Sequence, residues 1–170
     1  MDYSRSEPAE GRPAGAEAGT RTEGLIPSRC EAPLMGVGIL LVTHGKLGGL
    51  LVETMVDLIG ELPLATDVLE VRRVQATDVL LRQGERTIER LDSGAGVLIL
   101  TDTYGSTPSN IANRLASNAS QVEVVAGLNL PMLLRLYNYP KLALSDLAQA
   151  AAEGGQRGIV ICPRVAAAKT

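Results

Sequence analysis

The chain has 170 residues, enough for one domain with a real core, and its net charge of −3 offers no electrostatic footprint for nucleic acid. Hydrophobic residues make up 45% of it, yet there is no Trp, no Phe and only four Tyr, so the core must be built from Leu, Val, Ile and Ala. No apolar run reaches the roughly 18 residues of a membrane span and no secretory signal opens the chain, so a soluble cytoplasmic protein without direct membrane insertion is expected.

Residues 1–34 are rich in Pro, Gly, Ala and Glu, carry charges of both signs and show no period. Such a segment buries too little surface to offset its ordering entropy, which predicts a disordered N-terminal extension. Met35 stands directly before the first strand and is expected to be the physiological start. The folded domain then covers 35–163, and 164–170 reads as a frayed end. Cys30 and Cys162 are far apart, match no metal-ligand spacing and read as bystander thiols of a reducing compartment.

Strand 1 is VGILLVT (37–43), an unbroken apolar run of the kind that is covered on both faces. Helix 1 is expected from about Lys46 to Leu62, with Leu47, Leu50, Leu51, Met55, Leu58, Ile59 and Leu62 as its apolar stripe. A short strand 2 around DVLEVRR (67–73) leads to helix 2 over about 76–92, with Ala76, Val79, Leu80, Ile88 and Leu91 facing inward. SGAG closes that helix. Strand 3 is GVLILTD (96–102), and helix 3 runs from near Thr107 to about Asn118. Strand 4 is VEVVAG (122–127), with helices over about 131–139 and 145–153 after it. RGIVICP (157–163) reads as a final short strand, pairing within its own chain or, as an exchanged edge strand, with a partner. Alternation of this kind predicts an α/β fold: a doubly wound, mainly parallel open sheet of order 2-1-3-4 with helices on both faces.

In such a sheet, ligands gather outside the carboxyl ends of the strands where strand order reverses, here between strands 1 and 3. His44, the single histidine, follows strand 1, and Asp102 ends strand 3, so the two flank one crevice. After His44 comes GKLGG, where Gly45 and its neighbours permit close backbone approach and helix 1 points its amino end at the site. After Asp102 comes TYGSTPSN, where Thr107 is a sensible N-cap and Pro108 fits the first helical position. Imidazole is a competent nucleophile toward phosphoryl groups, and a carboxylate on its other nitrogen fixes the tautomer. No Walker loop is present, so the phosphate would arrive on another protein, and no cofactor is expected. Taken singly, each residue has a plain structural role: a His after a strand packs or caps, an Asp at a strand end anchors a loop. Lys46 and Arg114 could stand on the phosphate side, though such helix charges are usually solvated. Joint placement at one switch point is what favours function.

ILLVTHGKLGGLL, VLILTDTYGSTPSNIANRL and VEVVAGLNLPMLL resemble, in order and spacing, the three signature segments of the mannose-family IIA component of the bacterial phosphotransferase system. The resemblance covers about 36–163. It implies an open α/β sheet, usually homodimeric, whose histidine accepts phosphate from phospho-HPr and passes it to a IIB component, with possible association with membrane IIC and IID components. By resemblance His44 is the phosphorylated residue and Asp102 the acid that orients it. Thr107 matches the hydroxyl beside the phosphate, Tyr104 a bulky wall of the pocket, and Gly105 the first loop glycine. Ser106 departs from the usual second glycine: it is strained if that position needs positive φ, or else adds a hydroxyl to the phosphate shell. The dihydroxyacetone-kinase phosphotransfer subunit also carries Gly-Ser there but lacks the rest of the motif. The resemblance leaves transport and regulation both open. Outside it stand a non-catalytic anion-binding module and a tetrapyrrole metal chelatase, which also opens with strand and His-Gly but wants a second ligating side chain, typically another His.

Overall fold

The computed structural model describes residues 36–162. The expectations for 1–34, Met35, Cys30 and 164–170 therefore lie outside the described residues. In chain order the elements are β1 (Gly38–His44), α1 (Leu47–Ile59), β2 (Thr66–Val71), α2 (Thr77–Leu91), β3 (Val97–Thr101), α3 (Thr107–Ser117), β4 (Val122–Ala126), α4 (Leu130–Tyr137) and α5 (Leu144–Arg157). The four strands form one parallel sheet of order β2-β1-β3-β4, the doubly wound order expected.

The unbroken apolar runs arise from the two layers of helices. Successive residues of β1 and β3 point to opposite faces. Ile39, Leu41, Leu98 and Leu100 meet Met55 of α1, Leu133 of α4 and Leu147 of α5 on one face. Leu40, Val42, Val97 and Ile99 meet Leu80 and Ile88 of α2 and Ile111 and Leu115 of α3 on the other. Both central strands are thus apolar at every position until their carboxyl ends, where Thr43, Thr101 and then His44 and Asp102 appear.

Three expectations are corrected. Helix α1 ends at Ile59, and its stripe is only partly inward: Leu50 and Leu58 are exposed, while Gly48 and Met55 are the buried positions. In α2 the buried set includes Leu80, Leu81, Gly84, Thr87, Ile88 and Leu91, whereas Val79 is exposed. Most consequentially, α5 continues through Gly154 and Gly155 to Arg157. A Cβ at Gly154 would sit 2.3 Å from Arg135 Cβ of α4, so this Gly-Gly pair is a close helix–helix contact within α5. The chain after it forms no strand among the described residues. Ile159, Val160 and Ile161 are 82%, 70% and 97% exposed.

Candidate active site

The parallel register sets Val42 of β1 beside Thr101 of β3. The residues just past that pair, His44 and Asp102, leave the sheet at the same carboxyl rim and meet. Asp102 Oδ2 accepts two hydrogen bonds from His44, one from the backbone N–H (2.9 Å) and one from ring Nδ1 (2.9 Å). Asp102 Oδ1 accepts the N–H of Thr103 at 2.7 Å. The carboxylate side chain is 8% exposed and the imidazole 55%. Burial by itself would raise the Asp102 carboxyl. The backbone and ring hydrogen bonds from His44, its charge, and the Thr103 N–H together outweigh that and hold the carboxyl below its ordinary 3.8. An ionised carboxylate can only accept, so Nδ1 carries a proton, and Nε2 is the ring nitrogen with no hydrogen-bond partner among the described residues.

The helix after His44 is seated by a residue that pattern and motif do not single out. Thr43, fully buried at the end of β1, accepts the N–H of Gly48 on its Oγ1 at 2.8 Å. Lys46, at the N-cap, makes no side-chain cap, so Thr43 caps α1 from the strand below. The fit demands glycine: a Cβ at Gly48 would lie 2.7 Å from Val68 Cγ1 and 2.9 Å from that same Thr43 hydroxyl. A Thr one residue before the histidine and a Gly four after it are the only signals the sequence carries.

In the second loop the cap is Ser106 and not Thr107. Ser106 Oγ accepts the N–H of Ser109 (3.5 Å) and donates to the Thr103 carbonyl (2.6 Å). Its φ of −82° is ordinary extended backbone, so no strain attends the departure from glycine. The left-handed positions are Gly45 (φ 51°) and Gly105 (φ 76°), where glycine is at home. Pro108 is buried in the first turn beside Ser109, whose Oγ accepts the Gly105 N–H at 3.3 Å. The Ser106 N–H goes to the Thr103 carbonyl, so among the described residues the amides of Tyr104 and Thr107 are the two in this loop with no acceptor. Thr107 opens α3 with an exposed, uncommitted hydroxyl, and Tyr104 is 83% exposed. Helices α1 and α3 both start at this rim, so their positive ends flank the imidazole. Lys46 and Arg114 are exposed and make no ion pair among the described residues.

Residues 38–152 match the family described as the PTS system fructose IIA component, EIIA-man. The chain is 31% identical over 127 residues to the PTS system mannose-specific EIIAB component of Escherichia coli (strain K12), covering 74% of this chain and 39% of that protein. It thus spans well under half the length of that relative. The PTS system fructose-specific EIIA component of Bacillus subtilis (strain 168) is 34% identical over 67 residues, 39% of this chain and 46% of that one. Among solved structures, the mannose/sorbose specific IIA subunit of phosphotransferase system from Enterococcus faecalis superposes with a TM-score of 0.62 at 25% identity, covering 78% of this chain and 100% of that one.

Proposed function

The chain belongs to this IIA family of the phosphotransferase system, and from that membership we propose that it is a cytoplasmic phosphohistidine carrier: His44 accepts a phosphoryl group from phospho-HPr and passes it to a IIB component, for sugar uptake or as a regulatory signal. The observation that carries this reading is the pair of hydrogen bonds from His44 to one oxygen of Asp102, which occupy Nδ1 and leave Nε2 unpartnered on a half-exposed ring.

The step balances without moving a proton. The Nε2 lone pair attacks phosphorus, an Nε2–P bond forms, and the P–N bond to the donor imidazole breaks with its electron pair returning to the donor. Nδ1 keeps its hydrogen, so the ring becomes an imidazolium whose charge the Asp102 carboxylate balances. The phosphoryl oxygens fall to the uncommitted amides of Tyr104 and Thr107, the Thr107 hydroxyl and the positive helix ends, with Gly45, Gly105 and Ser106 shaping the two loops. Transfer on to a membrane-bound sugar route would run through IIB and the IIC and IID components. We also assign a homodimer, in which the exposed Gly158–Cys162 segment adds to an open sheet edge of a second copy.

Incubation with HPr, the first phosphotransferase enzyme and labelled phosphoenolpyruvate tests the reading. Label that is acid-labile, base-stable and absent from His44→Ala is expected; an unlabelled wild type overturns it.

A further inference from the structure

A second surface lies away from the His44 rim, between α2 and the open edge of β2. It is a groove of about 510 Å³ lined by Asp67, Val79, Arg82, Arg86 and Arg90 among others. The three arginines recur at every fourth residue, so they stand about 6 Å apart along the helix. The helix carries Asp78, Glu85 and Glu89 three or four residues from Arg82 or Arg86, yet among the described residues none of these acids forms an ion pair with either. Asp67 is the single acid in the lining, and it pairs with Arg90. Among the described residues neither Arg82 nor Arg86 has an ion pair, although the chain as a whole is acidic.

The other wall of the groove is a strand edge. Ala65 and Val71 give their carbonyls to β1, so by alternation Thr66, Val68 and Glu70 turn their backbone groups outward. The outward N–H of Val68 is covered by the carboxylate of Asp67 at 2.7 Å. One carboxylate therefore already serves both walls, holding an edge amide and an arginine together.

We propose that this groove receives an extended acidic segment of a partner protein, added as a strand to the β2 edge with two carboxylates, two residues apart, on Arg82 and Arg86. Side chains on one face of a strand repeat at about 6.7 Å, close to the spacing of the arginines. The incoming main-chain carbonyl replaces Asp67 on the Val68 amide, and Asp67 stays with Arg90. Main-chain pairing supplies the affinity and the arginines supply the choice of sequence.

Fluorescence anisotropy on the full chain with a dye-labelled peptide of alternating Glu and Thr measures this binding. The same peptide with Gln for Glu is expected to bind at least tenfold more weakly, as is the Glu peptide to Arg82→Gln/Arg86→Gln, while labelling of His44 in that variant is unchanged. Hydrogen exchange at the Val68 amide should slow when the Glu peptide binds. Equal affinity for the two peptides, an unaltered affinity in the double variant, or binding that leaves Val68 exchange untouched each overturns the proposal. So does displacement of the peptide by an equal concentration of inorganic tripolyphosphate, which would mean that the arginines gather anions without the strand edge.

Discussion

Asp102 Oδ2 takes two hydrogen bonds from a single residue, one from its main chain and one from its ring, and this double hold has consequences for both chemistry and stability. In Asp102→Asn the amide can donate to Nδ1, so the proton moves to Nε2 and the lone pair is lost. Labelling of His44 should slow by about 10²- to 10⁴-fold, the range of a mispositioned catalytic proton. A rate equal to wild type would remove Asp102 from the orienting role. The same contacts make a pH prediction. Because the folded chain holds the carboxyl below 3.8, its contribution to stability is complete above that value and disappears as pH falls through the lower folded one. The difference in urea midpoint between wild type and Asp102→Asn should be larger at pH about 5 than at pH about 3. A difference that stays constant would mean that these contacts do not hold the carboxyl ionised.

At the scale of elements, the helix starts matter most. Thr43→Val keeps the shape of the side chain but leaves the Gly48 N–H without an acceptor, so it should cost about 1–3 kcal/mol in chemical denaturation. Gly48→Ala pushes α1 off β1 and β2 and should cost a similar amount, about 1–3 kcal/mol. Ser106→Ala removes the α3 cap for about 0.5–2 kcal/mol, whereas Ser106→Gly should lose only a few tenths. Equal losses for Ala and Gly would mean that the hydroxyl does more than cap. These details separate what pattern can reveal from what it cannot. The places of β1, β3 and α3 are legible because two-sided burial leaves no polar residue until the strand ends. The roles of Thr43, Gly48 and Ser109 are not, because each rests on contacts with residues in another element or turn. Thr107 passes for the cap because Ser106, its neighbour, is an equally good candidate by type, and only the extended backbone and the Ser109 hydrogen bond of Ser106 separate them.

For the whole molecule, the sheet order explains why a single histidine and a distant aspartate meet, and that order is readable from the alternation of strand and helix. The end of the chain is not. The pattern ends the last helix near Glu153, and only the approach of α4 reveals Gly154 and Gly155 as a contact surface within a longer helix. Beyond α5 runs an apolar segment that no described element covers: Ile159, Val160 and Ile161 are largely exposed, and the described sheet has open edges at β2 and β4. Light scattering should give a dimer for wild type and a monomer for Ile159→Asp/Ile161→Asp, with far-UV circular dichroism unchanged. A wild-type monomer would rule out the second copy.

The double hold on Asp102 also bears on direction. Since one oxygen fixes both the imidazole and the strand end that carries it, the ring need not swing to be loaded or emptied. If His44 carries a phosphoryl group as proposed, the charge gained by its ring falls beside a carboxylate that is already in place. The proposed carrier would then meet donor and acceptor on one and the same frame, and the direction of transfer would be set by the phosphoryl-transfer potentials of those two proteins.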